Sequence, residues 1–358
     1  MNMSLQKWLT ELDAIPGVAG DEERVAAYLR ENLLDVVDEH QSDALGNQFF
    51  IKKGSDPDLK IMLCVHMDEI GFIVSYIDEK GFVWFHPVGG HDSRMVINQV
   101  LDIHTDKGVV KGVTGAKPSH IVTAEEAKLA IPLSELYVDV GTASREETEA
   151  LGVTVGDFVT FSREGQFLNG GKVFTGKAVD DRSGCAVMLE VMKRLAGKQL
   201  TASFYAVGSV QEEVGMRGAG PAAFAVQPDV ALALDVALTG GTPKIEEKMI
   251  PLALGGGPVI LFFEWVTDNW AGSSVPKKLT RKLVQTAEEN HIPYQRGVYL
   301  NCVTDTYSIS LAGKGTVAGC ISVPSRYIHS ATGLVHLDDL ENAVQLLVAF
   351  IESFRQKW

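Results

Sequence analysis

The sequence predicts an α/β fold: an open mixed sheet with helices on both faces, carrying an inserted small antiparallel β-barrel-like domain. Three observations predict it. From Gly176 onward, apolar strand runs alternate with helical periods, the pattern of a sheet covered by helices. Between Gly71 and about Phe161 that alternation stops, and short β-rich runs recur between Gly-rich or charged turns, as in a small barrel or sandwich. Helical and strand-like segments of the first kind already precede Asp68, so the β-rich stretch interrupts one domain. The division is 1–70 and 165–358 for the α/β domain, and 71–164 for the insertion.

Taken in order, Ser4 to Leu9 reads as a short helix. Gly20-Asp21 offers a cap for a second helix, Glu22 to Leu34, whose apolar positions Val25, Ala26, Leu29 and Leu33 share one face. Gln48–Lys52 and Lys60–Val65 are strand-like. In the insertion the strand runs are Phe72–Ile77, Phe82–Pro87, Val100–Thr105, Gly108–Thr114, Leu136–Asp139 and Asp157–Ser162. Beyond it come a helix over 181–197, strand Thr201–Val210, helix Ala219–Ala225, and strands Val230–Leu234 and Pro258–Phe263. Helix Lys277–Asn290, strands Pro293–Tyr299 and Thr316–Val323, and an amphipathic helix Leu337–Gln356 close the chain.

Composition narrows the function. At 358 residues, 46% hydrophobic and 22% charged, the chain has material for a large core. A net charge of −14 disfavours a phosphate backbone, which argues against nucleic acid as a partner. No run of about 18 apolar residues would span a membrane. The segment MNMSLQKWLTELDAIPG lacks the basic and apolar regions of a signal peptide. Cys64, Cys185, Cys302 and Cys320 are scattered in apolar runs, which reads as buried reduced thiols in a cytoplasmic protein.

Five segments place a histidine or a carboxylate just past an apolar strand or at a helix start. Ile61–Val65 is continuously apolar, as a buried central strand should be, and His66 and Asp68 follow on one side of it. Alone, a hydrogen-bonded His at a strand end would look the same. Asp180-Asp181-Arg182 opens a helix; one acid suffices for the cap, which leaves the other free to bridge cations. The strand Ala202–Val207 runs into Glu212-Glu213-Val-Gly. Adjacent residues there diverge, so one can bind metal while the other acts as general base. Asp235 ends an apolar strand, and His329 lies just beyond another. In open α/β sheets, sites form outside the carboxyl ends of the strands. Two His and three carboxylates suit Zn²⁺, Co²⁺ or Mn²⁺ rather than a thiolate site. Asp180, Glu213, Asp235 and a hydroxide would also balance the charge of two divalent ions.

His66-Met-Asp68-Glu-Ile-Gly, Asp180-Asp181-Arg182-Ser-Gly, Glu212-Glu213-Val-Gly-Met-Arg-Gly-Ala and Ser325-Arg-Tyr-Ile-His329-Ser, in that order, resemble the glutamyl and deblocking aminopeptidases, also called tetrahedral aminopeptidases, some of whose relatives carry an endoglucanase label. The resemblance covers nearly the whole chain. It implies a zinc-exopeptidase-type domain holding two divalent ions, Zn with Co or Mn as alternatives. Asp180 would bridge them across a cis Asp180–Asp181 peptide. His66 and Asp235 would complete one ion, and Glu213 and His329 the other. Glu212 would be the general base, with Asp68 behind His66. It further implies peptide substrates and a homo-oligomer, a hollow tetrahedral dodecamer with contacts helped by the β-domain. Three loops depart from the family's pattern: Val236-Ala-Leu-Thr-Gly-Gly, Leu254-Gly-Gly-Gly-Pro258 and Ala331-Thr-Gly-Leu. They touch no expected ligand and bear on substrate preference.

The expected reaction is hydrolysis of the N-terminal peptide bond by a metal-activated water, with Glu212 taking its proton. Another dinuclear hydrolase, a carboxypeptidase or N-deacylase, is the nearest alternative. A glycoside hydrolase would need two carboxylates facing each other across a sugar and would leave the histidines without a task. A metal-stabilised scaffold is the non-enzymatic alternative.

Overall fold

The computed structural model describes residues 3–243, 245–268 and 270–358. The chain opens with helices α1 (Met3–Ala14) and α2 (Glu23–Leu33), then strands β1 (Glu39–Ser42), β2 (Gln48–Lys52) and β3 (Asp56–His66). It next runs through β4 (Gly71–Ile77), β5 (Val83–Val88), helix α3 (Ser93–Val96), β6 (Val100–Thr105), β7 (Gly108–Thr114), β8 (Tyr137–Asp139), helix α4 (Arg145–Ala150) and β9 (Phe158–Phe161). It returns with β10 (Gln166–Leu168), β11 (Val173–Gly176), α5 (Val179–Leu195), β12 (Ala202–Ser209), α6 (Ala219–Val226) and β13 (Val230–Leu238). After β14 (Val259–Val266), β15 (Ala271–Ser274), α7 (Lys277–Glu289), β16 (Gln295–Leu300) and α8 (Thr306–Ser310), it ends with β17 (Ala318–Arg326), β18 (Gly333–His336) and α9 (Leu337–Ser353).

Twelve strands form one mixed sheet, ordered β1-β2-β12-β3-β13-β17-β18-β11-β10, with β14, β15 and β16 branching from β17. β3 lies between β12 and β13, parallel to both. Its side chains alternate between two cores: Ile61, Leu63 and Val65 pack toward α1, α2, α5, α7 and α9, while Met62 and Cys64 pack toward α6 and α8. A strand buried on both faces needs apolar residues at every position, which accounts for its unbroken run. Helices therefore cover both faces, as the sequence predicts.

The remaining six strands close into an antiparallel barrel, β4-β5-β8-β7-β6-β9. Its core is a third cluster, built on Phe72, Val74, Leu101, Ile103, Val138 and Val159. Ile70 and Ala331, which follow β3 and β17 of the large sheet, join that cluster and fasten the barrel to the sheet.

Some expected boundaries shift. α1 continues to Ala14 because Leu9 and Leu12 extend its buried face. α2 starts at Glu23, and Asp21 does not cap it. Instead Glu22 accepts from the backbone of Gly20 and of Gln211, 2.8 and 3.1 Å away. The strand expected to end at Asp235 runs on to Leu238, because Ser322, Val323, Pro324 and Ser325 of β17 continue to pair with it. Of the first domain segment, 1–70, Met1 and Asn2 lie outside the described residues.

Candidate active site

The ends of three strands, a position midway along a fourth and one helix start meet at the carboxyl edge of the parallel strands. His66 is the last residue of β3 and pairs with Ser209, the last of β12. The chain leaving β12 makes a compact turn from Val210 to Gly218, closed by a backbone bond between those two residues at 3.0 Å. Glu212 and Glu213 sit in it. Asn47 braces both ends of the turn, accepting from the Val210 N–H and donating to the Gly218 carbonyl.

Asp68 holds the same turn. Its two carboxylate oxygens accept from the backbone N–H groups of Glu212 and Glu213, each at 3.0 Å. The resemblance implies Asp68 behind the His66 ring; its carboxylate stands 3.6 Å from Nδ1, and its backbone carbonyl lies closer to the same atom, at 3.1 Å. A carbonyl can only accept, so Nδ1 carries the proton and Nε2 keeps its lone pair for the site.

Nε2 of His66 lies 3.1 Å from Oδ1 of Asp180. On the other side of Asp180, Oδ2 is 3.5 Å from Nε2 of His329, which is also 3.4 Å from Oε2 of Glu213. His329 sits in the turn after β17 with φ of 56°, a left-handed conformation held by the Ser330 hydroxyl donating to the Tyr327 carbonyl. Asp235, midway along β13, completes the group. Two sets of donors result, His66/Asp180/Asp235 and Asp180/Glu213/His329, each with its ligand atoms within 4.8 Å of one another. Two ligands about 2.1 Å from one ion lie at most about 4.2 Å apart, so small side-chain adjustments bring each set to coordination distance.

The electrostatics agree with that fit. Burial holds Glu212 and Asp235 well above the usual carboxylate range, and the neighbouring acids push them further. Burial raises Glu213 too. Burial opposes charge on His66, but the Asp180 and Asp68 carboxylates outweigh it and hold the ring well above its ordinary value. His329 is driven the same way to about 11 by Asp180 and Glu213. Asp180, flanked by both imidazoles, falls below its usual range although burial works against it. The cluster is an excess of buried negative charge for which protons stand in, and divalent cations would neutralise it directly.

The second acid of the pair has a different task. Asp181 accepts the Gly184 N–H at 2.8 Å and caps the continuous part of α5, and the Asp180–Asp181 peptide is cis. Three buried residues that sequence reasoning did not single out lie behind the site. Lys177 donates to both oxygens of Glu69 at 2.6 Å. Arg182, fully buried, donates to the carbonyls of Leu12, Ile15 and Met67 and approaches Glu69 at 3.5 Å. Arg182 thereby ties α1 to the segment carrying His66 and Asp68. The adjacency of Glu69 to Asp68 and of Arg182 to Asp181 was the available signal.

The barrel also reaches the site, through Gly89 and Gly90 after β5. A Cβ on Gly90 would stand 2.9 Å from Nδ1 of His329, and one on Gly89 3.3 Å from Oε2 of Glu213. Only glycine lets the backbone approach this closely. The Gly-Gly dipeptide was legible, but its target was not.

Comparison with known proteins finds relatives over nearly the whole chain. The family model described as M42 glutamyl aminopeptidase matches residues 46–346. A putative aminopeptidase of Acetivibrio thermocellus is 39% identical over 96% of this chain and 97% of its own. An aminopeptidase structure from the archaeon Desulfurococcus kamchatkensis superposes with a TM-score of 0.92 at 38% identity, over 98% of this chain and 95% of that one. The TET1 peptidase of Pyrococcus horikoshii, described as assembling into a tetrahedron or a large octahedral shell, gives a TM-score of 0.85 at 31% identity, over 98% and 99%.

Proposed function

The chain belongs to the M42 glutamyl aminopeptidase family and is a hydrolase of the aminopeptidase class, and from that premise we propose that it removes N-terminal residues from peptides with two divalent ions at the carboxyl edge of its sheet. His66 and Asp235 would hold one ion and Glu213 and His329 the other, with Asp180 available to both. The observation that carries this is the pair of donor sets sharing Asp180. The imidazole and carboxylate donors favour Zn²⁺, with Co²⁺ or Mn²⁺ also suited. Ions bound there would polarise the scissile carbonyl and make a water acidic enough to attack near neutral pH.

The chain's own residues do the rest. Glu212 takes the proton of the attacking water and delivers it to the leaving amine nitrogen as the C–N bond breaks. Its raised pKa, from burial and then from Asp235, matches a group that must both accept and release a proton. Asp68 fixes Glu212 by holding its backbone N–H, and His66 is fixed by the Asp68 carbonyl.

Residues 71–164 form the inserted domain between the 1–70 and 165–358 parts of the catalytic one. The protein works as a homo-oligomer, a reading supported by the assemblies described for the Pyrococcus horikoshii relative. A cytoplasmic location is supported by four free cysteines, three of them buried. Among the described residues no helix is long and apolar enough to cross a membrane.

Glu212→Gln tests the assignment. The variant keeps wild-type metal content by elemental analysis, while kcat on a free-amine dipeptide falls by about 10²–10³. Near wild-type turnover in that variant removes Glu212 as the base.

A further inference from the structure

Three consecutive backbone N–H groups in the turn that carries Glu212 and Glu213 are each held by a buried carboxylate, and Asp68 accounts for only two of them. The third, at Gln211, donates to Oε1 of Glu22 at 3.1 Å, directly before the two that Asp68 accepts from Glu212 and Glu213. Glu22 is 7% exposed and stands at the entrance of α2. Its side chain makes no capping bond to its own helix. It reaches instead across 189 positions of sequence to the turn beside the proposed ions. The same oxygen accepts from the Gly20 N–H at 2.8 Å, which fixes the orientation of the carboxylate.

The segment that carries Glu22 is itself tied to the one that carries Asp68. Val18 bridges to Glu69, the Glu69 N–H donates to the Gly17 carbonyl at 2.9 Å, and the Gly17 N–H donates to Oε1 of Glu69 at 3.1 Å. Glu22 and Asp68 therefore approach the turn from one paired framework. They are near enough that the Asp68 charge adds to burial in lifting the Glu22 carboxyl above its ordinary range. Placing a second buried acid beside the first is unfavourable in itself, so the gain lies in what it holds. Gln211 has φ of 57°, a left-handed conformation that a residue other than glycine keeps only where its surroundings fix it. Glu22 holds the peptide before Gln211, and Asp68 holds the peptide after it. Bonds from N–H to carboxylate are among the stronger ones available for that purpose. With both flanking peptides fixed, the direction in which Glu212 leaves the backbone is fixed too.

We propose that Glu22 is a positioning residue for the base: by accepting the Gln211 N–H it locks the left-handed residue ahead of Glu212 and aims the Glu212 carboxylate at the attacking water. The proposal rests on Glu212 being the base and adds a residue that acts only through it.

Steady-state kinetics on a free-amine dipeptide, with metal content and melting followed for each variant, test it. Glu22→Ala is expected to lower kcat by about 10–100-fold, the scale on which loss of a supporting partner acts, with KM and metal content at wild-type values. Glu22→Gln presents a carbonyl oxygen where Oε1 stands, keeps both bonds and recovers most of that loss. Asp21→Ala, one position earlier and outside these bonds, changes neither constant. Glu22→Ala combined with Glu212→Gln is expected to be no slower than Glu212→Gln alone, because no base is then left to aim. A double variant slower still would show that Glu22 acts through something else, and the proposal is overturned. Wild-type kcat in Glu22→Ala overturns it, as does a Glu22→Gln as slow as Glu22→Ala, which would make the charge and not the hydrogen bonds responsible. Loss of metal from Glu22→Ala overturns it too, since the residue would then serve the ligands. Should Glu22→Ala fail to fold, Glu22→Asp, one methylene too short, carries the same comparison. Near wild-type turnover in Glu212→Gln is a separate outcome, which removes the base itself and this reading with it.

Discussion

The carboxyl edge of the large sheet and the barrel meet at one place, and they contribute opposite things to it. The sheet side supplies every proposed ligand and the proposed base, carried on β3, α5, the turn after β12, β13 and the turn after β17. Among the described residues the barrel supplies no donor to either set. It presents two glycines, whose value is the absence of side chains, within reach of His329 and Glu213. Chemistry is thus built where strands end, and the space around it is trimmed by a domain that folds on its own core. The difference teaches that a residue can shape a metal site without any group that could bind metal.

The sharpest way to break that contrast is Asp180→Ala. Asp180 is common to both donor sets, so its loss should empty both positions. Activity is expected to fall by at least about 10³, equivalent to roughly 4 kcal/mol, with metal content dropping toward zero. Retention of two ions by this variant would show that the sets are independent, and the shared-ligand reading would fail. Substitutions in the barrel should never produce so complete a loss.

The barrel has its own sensitive group. His91 donates from Nε2 to the Gly71 carbonyl at 2.7 Å, and its ring lies 4.3 Å from that of Phe72. Burial depresses its pKa to about 4, below the ordinary 6.5. The unfolded chain then binds the proton more readily than the folded one. Stability from this group is complete above about pH 6.5 and is lost as pH falls toward 4, by at most about 3 kcal/mol. Hydrogen exchange of barrel amides such as Phe72 and Val74 should accelerate across that window, and His91→Phe should flatten the dependence. An unchanged slope in the variant would assign the acid sensitivity to another group.

The fold was legible because each layer wrote its own period into the chain. The unbroken run Ile61–Val65 marked a strand buried on both faces, and the short runs after Gly71 marked the barrel. Elements such as β1, β10 and β18 were missed; at three or four residues each they are too short for a period to stand out. Within the site, all five proposed ligands stand together in space as their positions at strand and helix ends suggested. What a chain read in one dimension does not carry is who faces whom across distant segments. Asp68 was expected behind His66; that its carboxylate also holds the backbone N–H groups of Glu212 and Glu213, more than 140 positions away, no local pattern announces. The contact between Gly90 and His329 is of the same kind.

That contact allows the most delicate test. Gly90 has an ordinary backbone conformation, so alanine is permitted there by φ, and the only obstacle is space. Its Cβ would meet Nδ1 of His329 at 2.9 Å and Cε1 at 3.2 Å, closer than carbon and nitrogen settle. His329 is the neighbour able to give way, since it ends in a turn and its side chain is 37% exposed. Displacing its ring by a few tenths of an ångström should weaken metal binding by about 10–100-fold, the scale seen when support for a ligand is lost. Gly115→Ala is the matched control, because a Cβ there meets nothing within 4 Å. Competition with a chelator should then separate the two variants while both barrels melt alike. Equal metal affinity in Gly90→Ala and Gly115→Ala would mean that the barrel only stands beside the site and does not set the position of His329.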